Sequence, residues 1–171
     1  EIAAEEGEEK GGFAYRPDQT RAGTTVEDGV VKFRSMPGMT YAGLLSYIYA
    51  NVGRTDPRVE ATVNWAVNHW DLERATRDPE KLGTDQEKEG LFYLYNVMSK
   101  GLAVYGRDVF FPEEGEPFNW RVELIEKLLA QQKIDENGHG YWVNPVSRYW
   151  EGDPVLVTAY TLLSLQIALG E

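Results

Sequence analysis

The sequence predicts an all-α fold, a curved α/α array in which buried inner helices alternate with amphipathic outer helices. Segments that are apolar on every side alternate along the chain with segments that carry one apolar stripe at helical spacing. The tripeptide Arg-Val-Glu occurs at 58–60 and again at 121–123, and the segment 89–106 aligns with 153–170 at nearly the same offset. Two helix classes repeated at this spacing indicate two concentric layers of helices.

Length and composition limit the classes of function. The chain of 171 residues is about one domain long, and 42% hydrophobic and 26% charged residues are typical of a globular protein. A formal net charge of −11 argues against binding a nucleic-acid backbone or an anionic membrane surface. A chain without cysteine has no disulfides, thiolate nucleophiles or cysteine-ligated zinc. We therefore expect no nucleic-acid or membrane partner, no metal and no cofactor, and the cellular compartment stays open.

Residues 1–10 are acidic and lack a periodic apolar face, so they are predicted to form a flexible tail or linker before one domain over 11–171. Because residue 1 is Glu rather than Met, we expect the chain to have been trimmed at its N-terminus. Proline and glycine residues between 16 and 38 predict loops, and the piece 30–33 predicts at most a stub of strand.

Three inner helices are predicted from segments that have no polar face. Thr40 is the predicted N-cap of the first, and Gly53 and Gly106 end the first and the second. Asp153 and Pro154 open the third, where interrupting Thr, Ser and Gln residues favour a buried helix over a membrane span. The inner helices are predicted over 40–52, 91–105 and 155–169.

Two outer helices are predicted from segments with one apolar stripe and a charged opposite side. Asp56 and Pro57 form a cap and first position for one of them, and Asn119 caps the other. The stripes lie at Val59, Val63, Ala66, Val67 and Trp70, and at Val122, Leu124, Ile125, Leu128 and Leu129.

The last repeat carries a specific resemblance. Gln132 precedes Gly140-Tyr141-Trp142, and the helical segment 158–165 follows. This order resembles the prenyltransferase and squalene-cyclase repeat family, in which a Gln at the end of an outer helix is followed by Gly-x-Trp and an inner helix. A Gln amide can bond free backbone groups at a helix end while its flat face packs under an indole. The resemblance covers about 11–171 and implies an α/α toroid.

The resemblance also implies what is missing. A complete toroid has five to seven hairpins, and this chain supplies about two to three, so we expect a degenerate, partial ring. We therefore expect it to bind the remainder of a toroid or to self-associate. The spacing from Gln132 to Gly140 is longer than in the family, and the acidic Asp-x-Asp-Asp cluster of the cyclases is absent. The Asp-Cys-His zinc set of the protein prenyltransferases is excluded because there is no cysteine.

The candidate site is the end of the array where the inner helices begin, because parallel helix N-termini there would offer free amides to an anionic ligand. Aromatic and acidic side chains at these ends could line a pocket for a sugar, a terpenoid or a peptide. The alternative interpretation is helix capping and core aromatics. The candidates at these ends are Tyr41, Glu89, Tyr93, Trp150 and Asp153.

Four further residues are candidates. Arg148 could clamp a substrate carboxylate or stack on a ring, or it could pair with Asp153 or Glu151 and pin the loop. Trp142 belongs to the Gly-x-Trp loop. His69 with Glu73 could form an acid–base pair or half a metal site, or His69 could be a surface residue that interacts with the helix dipole.

These observations favour a ligand-binding or interaction module that lacks the catalytic residues of the family and takes a small-molecule or glycan ligand. The alternative is an enzyme that acts on a terpenoid or carbohydrate with carboxylates and aromatics at the mouth of the ring. A third interpretation is a helical ring inside a larger extracellular protein of the macroglobulin type.

Overall fold

The computed structural model describes residues 4, 7–16 and 18–170. Within this part of the chain, five α-helices are joined by loops that contain three small two-stranded antiparallel sheets. The prediction of an all-α fold is therefore wrong, and the protein is mixed. The helices are α1 (Pro37–Tyr49), α2 (Pro57–Asn68), α3 (Leu91–Tyr105), α4 (Trp120–Ala130) and α5 (Pro154–Leu169).

The stub of strand predicted at 30–33 is present, a second strand lies elsewhere in the predicted loops of 16–38, and the other four lie between the predicted helices. The longest pair is a hairpin in which β1 (Thr24–Glu27) pairs with β2 (Val30–Phe33) across Asp28 and Gly29. Asp28 and Gly29 both have positive φ, 51° and 77°, as a two-residue hairpin turn requires. The other strands are β3 (Val109–Phe110), β4 (Phe118–Asn119), β5 (Lys133–Ile134) and β6 (Gly140–Tyr141), paired in order.

The first helix begins earlier than predicted. Pro37 occupies its first turn, where proline has the required φ and no amide hydrogen bond is lost. Thr40, predicted as the N-cap, lies inside the helix, and its buried hydroxyl accepts a hydrogen bond from the Phe13 amide at 3.0 Å. The helix also ends earlier, because Asn51 takes a left-handed conformation with φ of 59°.

The starts of α2, α4 and α5 are explained by their capping residues. Asp56, Asn119 and Asp153 each accept a hydrogen bond from a backbone amide two positions on, at 2.9–3.0 Å. Gly106 ends α3 in the left-handed conformation, with φ of 78°. These four residues confirm the predicted boundaries.

The core is organised around α3, which packs against α1 on one side and α5 on the other. Helix α2 packs on α1, and α4 packs on α5. The α3 residues Leu94, Tyr95, Met98 and Leu102 are almost fully buried, as a helix without a polar face predicts.

Helix α5 differs from this expectation. One side of it is buried, through Val157, Thr161, Ser164 and Ala168. The opposite side leaves large apolar side chains exposed, so the prediction that the whole helix is buried is wrong. The exposed side chains are Val155, Leu162, Leu163 and Leu169.

The N-terminal segment contacts the domain through two acidic residues, Glu8, which pairs with Arg77 at 3.1 Å, and Glu9. The Glu9 side chain is buried and accepts hydrogen bonds from the Ser35 amide at 2.8 Å and the Trp65 indole at 3.3 Å. It also forms an ion pair with Arg77 at 2.7 Å. Glu9 therefore belongs to the packed domain rather than to a solvated tail. Residues 1–3, 5 and 6 lie outside the described part, so the tail stays a prediction there.

Candidate functional site

A cleft of about 300 Å³ lies where α1 and α3 begin. Four tyrosines from distant parts of the chain line it, so we call it the tyrosine cleft. Methionine and small residues from the first turn of α1 complete its apolar walls, and three charged side chains reach it. The tyrosines are Tyr15, Tyr93, Tyr149 and Tyr160. The residues at the start of α1 are its N-cap Met36, Gly38 and Met39. The charged residues are Arg21, Lys81 and Glu89.

Two glycines allow the walls to come together. A Cβ atom at Gly90 would lie 3.4 Å from the Tyr149 ring, which is a close contact. Gly90 also has a φ of 82°, a conformation that a residue with a side chain rarely adopts. A Cβ atom at Gly38 would lie 3.6 Å from the Tyr93 ring, an ordinary van der Waals distance. Gly38 therefore keeps part of the cleft empty.

The loop before α5 has an unusual backbone at the cleft. Tyr149 and Trp150 are consecutive non-glycine residues with positive φ, 59° and 66°. Each such residue costs about 1–3 kcal/mol, and such strain is concentrated at binding and catalytic sites. Tyr149 lines the cleft, whereas Trp150 is 82% exposed and is not among its walls.

Arg21 connects two of the tyrosines. Its guanidinium lies 5.2 Å from the centre of the Tyr15 ring and 5.8 Å from that of Tyr149, within cation–π range. It also donates a hydrogen bond to the Tyr149 hydroxyl. Burial raises the pKa of Tyr149, but hydrogen bonds from Arg148 and Arg21 and their positive charges outweigh burial and lower it.

Glu89 is the acidic side chain among the cleft walls. Its Oε2 atom lies 3.6 Å from Lys81 Nζ and 3.5 Å from Arg148 Nε. The Glu89 side chain is only 13% exposed, so these two cations hold it against the wall. The charge of Glu89 is thus compensated by two neighbouring cations, and its carboxylate does not face the cleft as a free general base.

Glu151 supports the cleft from behind. It is fully buried and accepts hydrogen bonds from the Tyr93 amide at 2.7 Å and the Asn144 side chain at 2.6 Å. Burial raises the pKa of Glu151, although the hydrogen bonds from Asn144 and the amides of α3 partly oppose this. The first-turn amides of α3 are thus bonded to a carboxylate of the chain itself. The expectation that these amides receive an external anion is wrong at α3.

The structure brings three of the predicted residues together. Glu89 and Tyr93 line the tyrosine cleft, and Arg148 contacts Glu89 and the Tyr149 ring at its edge. Asp153 caps α5 instead of facing the cleft.

Two other candidates, Tyr41 and Trp142, are buried in the core. Burial raises the pKa of the Tyr41 hydroxyl. The Trp142 indole donates a hydrogen bond to the Leu128 carbonyl of α4 at 2.7 Å.

His69 and Glu73 have separate partners. His69 stacks on Trp65 with ring centres 4.3 Å apart, and burial lowers its pKa despite a hydrogen bond to the Trp65 carbonyl. Glu73 forms an ion pair with Lys127. Across the described part of the chain, no three His, Asp or Glu side chains are grouped to hold a metal ion.

Sequence reasoning missed Tyr15, Arg21 and Lys81. All three lie in loops without periodicity, and the tertiary fold brings them to the cleft. The one local signal is an Arg beside a Tyr, which occurs at 15–16 and 148–149 on opposite sides of the cleft.

Comparisons with known proteins add no relative. No protein-family model, no curated protein and no solved structure matches this chain. In the described residues, no helix is both long and apolar enough to cross a membrane. The interpretation of the site therefore depends on its own geometry.

Proposed function

We propose that this protein is a non-catalytic ligand-binding module, derived from the prenyltransferase and squalene-cyclase repeats, and that the tyrosine cleft holds the ligand. The observation that carries the proposal is the cleft itself, where aromatic walls and a few charged groups converge around about 300 Å³. Strained backbone at Tyr149 and Trp150 beside it supports a role in binding, because the fold maintains an unfavourable conformation there.

The relation to the repeat family is supported by the last repeat. A Cβ atom at Gly140 would lie 2.3 Å from the Gln132 side-chain nitrogen, so the Gln amide packs directly on this glycine. The Trp142 amide donates to the Thr158 hydroxyl of α5 at 3.0 Å, and its indole bonds α4. The Gln…Gly-x-Trp pattern thus joins an outer helix to the following helix.

Binding rather than catalysis is supported by the partners of the acidic groups. Glu89 is paired with two cations, Glu151 bonds the amides of α3, and Asp153 caps α5. An acid–base mechanism needs a proton donor or acceptor that faces the substrate, and these three carboxylates have structural partners instead. The enzyme alternative would have to use Glu89, and Glu89→Gln would then abolish turnover without lowering the melting temperature.

The proposal is tested by a ligand-binding screen of the native protein and of a variant in which a new side chain fills the cleft. Neutral oligosaccharides, isoprenoid diphosphates and naphthalene carboxylate and carboxamide are screened by ligand-observed NMR and thermal shift, since binding to the folded state raises the melting temperature. Gly38→Phe places a ring in the cleft and is expected to weaken any hit at least about tenfold, close to 1.4 kcal/mol.

Gly53→Phe is the matched control, because Gly53 lies beyond the other end of α1 with no atom within 4 Å of its added Cβ. It should bind as the native protein does. A hit that binds Gly38→Phe normally, or the absence of any hit, would refute the proposal.

The interaction role is supported by the exposed side of α5, and we expect it to pair with a second copy. No charged residue occurs in α5, so two copies can approach there despite the net charge of −11. Light scattering after size exclusion should give a mass that rises with concentration. Leu162→Glu should keep the protein monomeric, while Val31→Glu, in the exposed hairpin, should not. A monomer at all concentrations would contradict the expectation.

A further inference from the structure

The charges around the tyrosine cleft are opposite to those of the chain as a whole. Arg21 and Lys81 line the cleft and Arg148 adjoins it, against Glu89 in the wall and the buried Glu151 behind it. Three positive groups against two carboxyl groups leave a cationic excess, whereas the chain carries a formal charge of −11. A local cationic excess in an acidic protein attracts anions to this place and repels them elsewhere.

The cations are held by aromatic rings. Arg21 lies beside the rings of Tyr15 and Tyr149 and donates to the Tyr149 hydroxyl. Arg148 lies 5.3 Å from the centre of the Tyr149 ring. Guanidinium groups fixed in this way lose less entropy when they bond a ligand, and their planar fork matches the oxygens of a carboxylate or phosphate.

Apolar and aromatic side chains form much of the wall between these cations. Met36, Met39 and Leu94 contribute apolar surface, and the Tyr93 and Tyr160 rings meet edge to face with centres 6.5 Å apart. A bare inorganic anion would leave this surface in contact with water, whereas a planar apolar body covers it and packs on the rings.

We propose that the ligand of the tyrosine cleft is a flat apolar molecule that carries one oxyanion, a carboxylate or a phosphate ester. This inference rests on the proposed function, and it specifies the class of ligand. Arg21 and Lys81 bind the oxyanion, and the rings of Tyr93 and Tyr149 pack on the apolar body. A neutral sugar would make no charge-assisted hydrogen bond to Arg21 or Lys81, and a cationic ligand would be repelled.

The test compares probes that share one body and differ in charge. Isothermal titration measures the binding of 2-naphthoate, 2-naphthyl phosphate and neutral 2-naphthamide to the whole chain. At least one anion is expected to bind about 10- to 100-fold more tightly than the amide, the range of a charge-assisted hydrogen bond. The stronger of the two anions identifies the oxyanion as carboxylate or phosphate.

Variants locate the charge effect. Arg21→Gln and Lys81→Met should each weaken binding of the anion about tenfold and weaken binding of 2-naphthamide by less, so that the preference for the anion falls. Arg21→Lys keeps the charge and should retain most of the affinity. Arg107→Gln removes the same charge at the far end of α3, about 20 Å from the cleft for a helix of this length, and should bind as the native protein does.

The outcomes separate this inference from the proposed function. Equal binding of 2-naphthamide and the anions, lost in Gly38→Phe, would overturn the inference and leave the proposed function intact. Anion binding that survives Arg21→Gln and Lys81→Met would overturn it as well, because the charge would then act elsewhere. If none of the three probes binds, the flat oxyanion class is refuted. The proposed function then fails too unless another compound of the wider screen binds in the cleft.

Discussion

Removing the Glu151 carboxylate is expected to destabilise the whole protein. The side chain is fully buried, and it accepts the Tyr93 amide at 2.7 Å and the Asn144 side-chain amide at 2.6 Å. In Glu151→Ala the partly buried Tyr93 amide would lose this acceptor. Asn144 would keep its second hydrogen bond, to the Lys88 carbonyl at 2.7 Å.

The magnitude follows from these contacts. A hydrogen bond to a charged group contributes about 1.5–3 kcal/mol, and an unsatisfied buried donor costs about 1–3 kcal/mol. Because the buried carboxylate itself loses hydration, the two bonds do not add in full, and we expect Glu151→Ala to cost about 3 kcal/mol. That is a large part of the roughly 5–15 kcal/mol that stabilises a typical domain.

The assay is urea unfolding at pH 7 followed by circular dichroism, with the free energy of unfolding taken by linear extrapolation. Glu136→Ala is the control, since Glu136 is exposed in the turn between β5 and β6 and should change stability by less than about 0.5 kcal/mol. Glu151→Gln keeps an acceptor for the Tyr93 amide and should fall between the two. A loss of less than about 1 kcal/mol in Glu151→Ala would refute the role assigned to this carboxylate.

The structure supports four further predictions, two on the pH dependence of stability and two on packing. Because the native pKa of Glu151 is raised, the pH-dependent part of its contribution to stability is complete below the unfolded pKa and is lost as pH rises through the native pKa, while its hydrogen bonds to Tyr93 and Asn144 remain. Native protein should therefore lose stability relative to Glu151→Gln between acid and neutral pH. Burial raises the pKa of Glu9, but the hydrogen bond from the Ser35 amide and the charge of Arg77 outweigh burial and lower this pKa. The contribution of Glu9 to stability is therefore present above the unfolded pKa and is lost as pH falls through the native pKa. Native protein should gain stability relative to Glu9→Gln from acid to neutral pH. The measurement is the free energy of unfolding in urea as a function of pH. If it changes with pH in Glu151→Gln and in Glu9→Gln as it does in the native protein, both pKa assignments are contradicted. In calorimetry, Gly101→Ala should stabilise by about 0.5–1 kcal/mol, because its Cβ meets ordinary contacts at 3.5 Å, and a lower melting temperature would contradict this. Gly43→Ala should destabilise by about 1–3 kcal/mol, because its Cβ would lie 2.6 Å from the Phe13 ring.

The helix boundaries were predictable because capping is local. Asp56, Asn119 and Asp153 each bond an amide two positions away, so the signal and its partner lie within one turn of sequence. The start of α1 was missed because Pro37 was assigned to a loop, although proline is also favoured at the first helical position. The β1–β2 hairpin also had a local signal, Asp28-Gly29 between β-branched residues.

The side of α5 that is buried could not be predicted, because its apolar residues are distributed over all sides. A helix with one apolar stripe shows which face packs, whereas a uniformly apolar helix gives no direction. Neighbouring elements decide, and here α3 and α4 cover one side and leave Leu162 and Leu163 exposed. The composition predicted complete burial because it contains no information about how many neighbours the helix has.

For the candidate site, the sequence and the structure indicate the same region, the start of α1 and α3, for different physical reasons. The sequence predicted that helix amides at the start of the inner helices would attract an anion, and at α3 the chain's own Glu151 bonds those amides. Positive charge is nevertheless concentrated nearby, on Arg21, Lys81 and Arg148. Only Arg148 lies in a segment with a recognisable pattern, so the other two required the tertiary fold. Because Glu151 fixes both the first turn of α3 and the loop that carries Tyr149, an internal anion holds the walls of a cleft that is itself cationic. We therefore expect anion binding to depend on side-chain charge rather than on a helix terminus, and to respond to changes at Arg21 and Lys81.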